Sequence, residues 1–265
     1  MCLILVAYLT DPRYRLVVAA NRDEFFSRPT AAADYWKDAP GVLGGRDLEK
    51  GGTWMGVTTQ GRWAAVTNYR DGSAPGPGSR SRGDLVARYL CGTTPASDYV
   101  AATSARAGEY HGFNLLAGDV HGLHYLSNHD GGAIKLAPGI YGLSNRLLDT
   151  PWPKVERGKS GLRDALAGNV GADRLTEDLL AMLADRRVAD EAQLPSTGIS
   201  RDWEKRLSAP FIVAPGYGTR ASSVLLMDQE GEISFRERSF GEGGVLLEDR
   251  RYRFAAKPET ARATG

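Results

Sequence analysis

Apolar positions cluster in short blocks along the first quarter of the chain. Leu3 to Leu9 is continuously apolar and rich in branched residues, Thr10 to Arg13 is polar, and Arg15 to Ala20 is apolar again. Runs of this length, separated by a turn cluster, predict a β-hairpin whose strands are buried on both faces. The polar cluster NRDE, Asn21 to Glu24, follows the second run at once. An antiparallel return strand brings it back beside the start of the first strand, and so beside Cys2.

Further on, two glycine pairs (Gly44 and Gly45, Gly51 and Gly52) read as turn glycines before a strand ending at Thr58, and Arg62 to Arg70 reads as its partner, with Asn68 at the far end. Asp71 to Gly83 is a loop by composition, and Asp84 to Leu90 begins a helix. HGFNLLAGDVHGLHYLSN gives two more short strands around a Gly-Asp turn, and strand character ends at Asn145. Helical patterns follow over Val155 to Ala167 and Arg174 to Leu183. Gly218 to Asp228, opened by Arg220, and Glu232 to Phe240 form a final hairpin across Gln229 to Gly231. Strand blocks separated by a helical block predict an α+β protein with two stacked sheets covered by helices. One domain is expected over residues 1–254, with a polar, disordered tail over 255–265.

Charge narrows the partners. With 33 basic against 32 acidic residues the formal net charge is +1, which gives no electrostatic case for nucleic acid or an anionic membrane. A small-molecule or hydrophobic ligand is the expected partner, and oligomeric state is not legible. Two cysteines, Cys2 and Cys91, match neither a zinc motif nor a disulfide framework. The opening run lacks a basic flank and is broken by Asp11, Pro12 and Arg13, and no apolar run reaches the roughly 20 residues of a membrane helix. Cytoplasmic location and no stable membrane insertion are the expectations.

Cys2 stands directly behind the initiator methionine. If Met1 is trimmed, one residue carries both a nucleophile and a base, because an α-amine titrates near about 8 and a thiol near about 8.5. A neighbouring arginine favours the thiolate, an aspartate can hold the ammonium, and asparagine amides can receive an oxyanion. Arg22, Asp23, Asn68, Asn145 and Arg220 supply those groups at expected strand ends. The bland alternatives are a buried structural thiol for Cys2, a salt-bridged hairpin end for NRDE and turn caps for the asparagines. His121 and His124, three apart in an extended segment, point to opposite faces, so no metal site is expected and surface hairpin histidines are the simpler reading.

Taken together, MC at the start, NRDE at 21–24, GRDLEKGGTW at 45–54, TNYR at 67–70, GFNLL at 112–116, YGLSN at 141–145 and GTRASSV at 218–224 resemble the NRDE-motif family, named for transport and Golgi organisation. That family is similar, more distantly, to cysteine N-terminal-nucleophile hydrolases such as bile salt hydrolases and penicillin V acylases. The resemblance implies a four-layer αββα sandwich. It implies Cys2 as nucleophile, Arg22 as the first arginine, Asp23 as the holder of the α-amine, Asn68 and Asn145 as the two asparagines, and Arg220 as the late arginine. Asn21, Arg46, Trp54 and Tyr69, within the same motifs, are the expected ligand-binding residues. The hydrolases leave two residues between their arginine and aspartate, whereas Arg22 and Asp23 are adjacent, so Asp23 reaches the amine only if the chain turns there. Two functions stay open: hydrolysis of a non-peptide amide bond through a thioester on Cys2, with no cofactor required, or non-catalytic trafficking of a hydrophobic ligand such as haem or an acyl-coenzyme A or lipid. For haem, the chain offers neither a Cys-Pro pair nor a paired-histidine helix.

Overall fold

The alternation of side chains along the first hairpin explains the layering. In a computed structural model that describes residues 2–72 and 80–257, β1 (Cys2–Tyr8) and β2 (Tyr14–Phe25) pair antiparallel with Cys2 opposite Arg22 and Ile4 opposite Ala20. Ile4, Val6, Val18 and Ala20 face one way, into a core shared with a second sheet. Leu3, Leu5, Val17 and Ala19 face the other way, against helices. Burial on both faces is why these strands read as unbroken apolar runs.

The remaining elements are β3 (Thr30–Trp36), β4 (Ala39–Asp47), β5 (Met55–Thr58), β6 (Trp63–Asn68), α1 (Arg82–Cys91), α2 (Ala96–Ser104), β7 (Phe113–Asp119), β8 (Gly122–Ser127), β9 (Gly132–Lys135), β10 (Gly139–Leu143), α3 (Pro153–Ala167), α4 (Ala172–Leu183), α5 (Arg201–Arg206), β11 (Val213–Ala214), β12 (Tyr217–Asp228), β13 (Glu232–Phe240) and β14 (Leu246–Ala255). One sheet has the order β10-β1-β2-β12-β13-β14, with β11 on β12, and the other runs β3 to β9 in sequence. Every strand pair is antiparallel. Leu162, Leu175 and Leu179 from α3 and α4 cover the first sheet, while Leu85, Val86 and Val100 from α1 and α2 cover the second. The result is a four-layer αββα sandwich.

Several boundaries differ from the sequence reading. β2 does not stop at Ala20 but carries NRDE inside the strand. The hairpin of β12 and β13 is not the last, because β14 adds an outer strand to β13. Arg220 lies inside β12, at a register shift between Thr219 and Ala221, rather than at the strand's start. Gly44 and Gly45 are strand residues in β4, where a Cβ on Gly45 would stand 2.0 Å from the Trp54 ring, so glycine there makes room for the indole. Of these four, Gly51 alone, at φ 72°, is a turn glycine with left-handed backbone; a Cβ on Gly52 would meet the Gly83 backbone at 2.5 Å. His124 is buried in β8 rather than on the surface, and burial lowers its pKa. Met1 and residues 258–265 of the expected tail lie outside the described residues, as does most of the loop after Asp71. Among the described residues no helix is long and apolar enough to cross a membrane, and no cluster of three metal-ligating side chains occurs.

Candidate active site

Strand alternation divides NRDE between two surroundings. Arg22 shares the inter-sheet face with Cys2, while Asn21 and Asp23 face the helix layer. The chain does not turn at Asp23, since β2 runs on to Phe25. Asp23 therefore sits on the opposite side of the strand from the Cys2 thiol, with its Oδ1 accepting from the Thr219 hydroxyl at 2.7 Å. Its own backbone N–H nevertheless favours the Cys2 thiolate.

Cys2 is buried at 9% exposure, and burial raises its thiol pKa, followed by the opposing effects of nearby charges, among them Asp23, which raises it, and Arg22, which lowers it. The Cys2 backbone is tied to the end of the neighbouring strand β10, because Ser144 Oγ donates to its carbonyl at 3.0 Å. Thr67 Oγ1 donates in turn to the Ser144 carbonyl at 2.7 Å. The adjoining Asn145, fully buried, donates through Nδ2 to the Asn68 carbonyl at 2.9 Å. Asn145 Nδ2 carries a second N–H beyond that bond, the kind of donor an oxyanion requires. Asn68 closes β6, as expected, but its contribution to this link is its carbonyl rather than its amide.

Arg22 is the side chain aimed at the thiol's surroundings. Its guanidinium lies over the Trp54 ring at 4.4 Å and 3.8 Å from the Glu24 carboxylate, too long for a hydrogen bond. Arg22 is 5% exposed, and its Nη1 has no hydrogen-bond partner among the described residues. A buried guanidinium nitrogen without an acceptor costs free energy unless a ligand satisfies it. Arg22 and Trp54 line a cleft of about 80 Å³ with Arg220, Ala221, Glu237, Ser239, Phe240 and Leu247. Arg220 is itself held by the Phe25 and Arg28 carbonyls at 2.9 and 3.1 Å, where it braces the turn after β2. Glu237, buried at the same cleft, has its carboxyl pKa raised by burial.

Three further expected ligand residues fall elsewhere. Asn21 is 1% exposed, with its amide donating to the Leu183 and Pro210 carbonyls and accepting from Ser222, so it ties β2 to the helix layer. Arg46 stacks on Trp36 and pairs with Asp38 on the α1 and α2 side of its sheet, not on the Cys2 side. Tyr69 stacks on His129 at 3.8 Å, with the Arg146 guanidinium over its ring. Trp54 alone of the four stands beside Arg22.

Sequence reasoning missed Lys154, Arg82, Tyr217 and the Arg70–Glu204 pair. Lys154 is 1% exposed, and its Nζ donates to the Leu207 carbonyl at 2.9 Å. Burial lowers its pKa to about 8, against the pull of Asp23. Arg82 donates to the Gly112 carbonyl at 3.3 Å, and burial lowers its pKa against the raising effect of Glu24 and Cys2. Tyr217 is buried opposite Phe25, and burial, then Asp23, Glu24 and Cys2, push its phenol well up. Arg70 and Glu204 pair at 3.1 Å under Trp152, with Glu204 Oε1 also accepting from the Thr197 hydroxyl and backbone N–H. Nothing local marks these residues, because each finds its partners from distant parts of the chain; the nearest signal is a lysine in the first turn of a helix, where a cation is disfavoured.

The sequence pattern of the Transport and Golgi organisation 2 family matches residues 1–242, and the chain belongs to that family. It is 40% identical over 263 residues to the Transport and Golgi organization protein 2 homolog of Bos taurus, covering 90% of this chain and 93% of that protein. The Homo sapiens homolog is 37% identical over 261 residues, at the same coverage. Among solved structures, the chain is similar to the Caenorhabditis elegans N-acylethanolamine-hydrolyzing acid amidase ortholog, with 12% identity, TM-score 0.45, and 67% of this chain and 85% of that one covered. It is also similar to the C2A mutant of conjugated bile acid hydrolase from Clostridium perfringens, with 9% identity, TM-score 0.48, and 99% and 100% covered.

Proposed function

We propose that this protein is a cysteine amidohydrolase in which Cys2, freed of Met1, attacks the carbonyl carbon of a non-peptide amide. The observation that carries the reading is the register of Cys2 against Arg22, whose buried Nη1 lacks a partner beside the thiol. In the proposed step Sγ bonds to the carbonyl carbon while its proton passes to the α-amine of Cys2. The oxyanion is received by donors of the kind Asn145 offers. Collapse breaks the carbon–nitrogen bond, the leaving amine takes the proton from the α-ammonium, and a thioester remains on Cys2. Water then adds to the thioester carbonyl and returns the thiol and a carboxylic acid. With burial raising the thiol pKa, Cys2 rests as the neutral thiol and is activated only as its proton leaves.

A panel of N-acyl 4-nitroanilides tests this, read as released nitroaniline. Wild type is expected to turn over at least one member and Cys2→Ala none. Undiminished hydrolysis by Cys2→Ala overturns the reading.

A second reading, a carrier for a hydrophobic ligand such as haem or an acyl-coenzyme A or lipid, is favoured by one feature. Leu246 and Leu247 are 51% and 63% exposed, and Leu247 lines the cleft beside Arg22. Single exposed leucines are ordinary, whereas adjacent ones at a cleft suit an apolar ligand. A haem titration followed optically checks the haem version, which an unchanged spectrum at micromolar protein contradicts.

A further inference from the structure

Thr67 of TNYR, Asn114 of GFNLL and Ser144 of YGLSN come from three separate motifs, and all three are buried at 2% exposure or less. Polar side chains this deep are costly unless hydrogen-bonded. With Tyr125 of β8 they form one relay whose direction is fixed at both ends. The Leu148 N–H can only donate, and it does so to the Tyr125 hydroxyl at 3.2 Å. Tyr125 directs its own hydrogen to Asn114 Oδ1 at 2.8 Å. That leaves Asn114 Nδ2 to donate to Thr67 Oγ1 at 3.1 Å and to the Arg146 carbonyl at 2.9 Å. Thr67, accepting from Asn114, gives its hydrogen to the Ser144 carbonyl at 2.7 Å. Backbone groups that only donate or only accept close the relay at each end, so one proton arrangement satisfies every member.

Asn145 lies between the two carbonyls that the relay grips. Its own carbonyl accepts from the Arg70 N–H at 2.8 Å, its Nδ2 donates to Asn68, and its Oδ1 is 3.3 Å from Ser144 Oγ. The consecutive carbonyls of Ser144, Asn145 and Arg146 are thus fastened to donors on β6, just after β6 and on β7 of the second sheet. The segment itself follows β10 of the first sheet, and continuing the register of Ile4 opposite Leu143 places Asn145 level with Cys2.

We propose that Thr67 and Asn114 are positioning residues that lock the Asn145 side-chain amide beside Cys2, so that its second N–H is aimed before any substrate binds. The catalytic use of that donor rests on the nucleophile reading above; the rigidity of the amide does not. Removing the relay takes the donors from the Ser144 and Arg146 carbonyls, which regain hydrogen bonds only if the segment shifts or admits water. Either change turns the peptide groups on both sides of Asn145. A donor that must be reoriented during reaction stabilises an oxyanion less than one already in place.

Nitrogen-15 relaxation of the Asn145 side-chain amide in the full chain tests the proposal. Its order parameter should lie in the rigid range, about 0.85, in wild type and fall below about 0.6 in Thr67→Val, which keeps the shape of threonine without the hydroxyl. Thr67→Ser should restore it. Asn114→Asp, which turns a nitrogen that donates twice into an acceptor, should act like Thr67→Val, and Tyr125→Phe serves as a third relay variant if one of these does not fold. Leu85→Ala, a core truncation under α1 that lowers the melting temperature without touching the relay, should leave the order parameter unchanged. An Asn145 amide that is mobile in wild type, stays rigid in the relay variants or loosens equally in Leu85→Ala overturns the proposal. Because this readout needs no turnover, a wild type that hydrolyses nothing sinks the nucleophile reading and leaves the relay standing. Where nitroanilide hydrolysis is measurable, Thr67→Val should lower kcat about tenfold with KM little changed, and Thr67→Ser should recover most of it. Full turnover with a mobile Asn145 would remove the positioning role.

Discussion

Two regions of the first sheet gather arginines, and they are organised in opposite ways. On β13 and β14, Arg236 bonds Asp249 at 2.6 and 2.8 Å and Glu177 at 2.5 Å, while Arg238 reaches the same two acids. Those guanidiniums are saturated by carboxylates that are partly exposed. Two strands away on β2, Arg22 is equally buried yet leaves Nη1 without an acceptor and meets Glu24 only at 3.8 Å. Saturated charges fasten an outer strand and a helix together. An under-satisfied buried charge beside a thiol is an arrangement that folding alone does not favour, and it is the feature on which the proposed site rests.

The largest expected difference separates Cys2→Ala from everything on β14. Cys2→Ala should reduce nitroanilide turnover by about 10³-fold or more with little change in melting temperature, because it removes the bond-forming atom and only a small side chain. Arg22→Met should follow at about 10²-fold, with stability held or raised, since it removes an unsatisfied buried donor. Arg236→Met should do the reverse: stability falls by about 1–3 kcal/mol in urea unfolding, and turnover per folded molecule is unchanged. If Arg236→Met were as inactive as Arg22→Met, the contrast between the two regions would fail.

Gly45→Ala sharpens the comparison from the packing side. Its methyl would stand 2.0 Å from the indole that lies on Arg22, so Trp54 must move or the strand must shift. A loss of about 1–3 kcal/mol is expected, together with reduced turnover, measured by thermal melts and nitroanilide assays.

The smallest effect lies in acid. Hydrogen bonding from Arg236, followed by the other causes, holds the Asp249 carboxyl at about 2, below its ordinary 3.8. The folded carboxyl binds its proton less readily than the unfolded one. Its stabilisation is therefore complete above about pH 4 and is lost as pH falls toward 2. Asp249→Asn should flatten the melting-temperature decline across that window, and an unchanged slope would show that the pair contributes nothing measurable.

How far the chain announces this arrangement depends on where each residue finds its partners. The β1–β2 hairpin, β6 ending on Asn68, and helices α1, α3 and α4 are legible because each carries a periodic or continuous apolar run. β3 and β4 are not, because alanines, glycines and charges dilute the alternation. β14 hides behind LLEDRRYRFA, whose half-buried Arg250, Tyr252 and Phe254 do alternate, yet a charge-rich outer strand reads as polar. The nearness of Cys2 and Arg22 follows from hairpin geometry, one turn apart. The link from Asn145 to Asn68 spans 77 residues and the Lys154 bond to Leu207 spans 53, so neither leaves a local trace. Extending β2 through NRDE also decides which motif residues share a face, which separates Asn21 and Asp23 from Arg22.

The most direct test of Cys2 as a terminal nucleophile is intact-mass spectrometry of the purified full chain, before and after incubation with an activated acyl ester, with peptide mapping of the N-terminus. The account predicts loss of Met1 and one acyl group on Cys2, absent from Cys2→Ala. A chain that retains Met1 and takes no acyl group on Cys2 would contradict it.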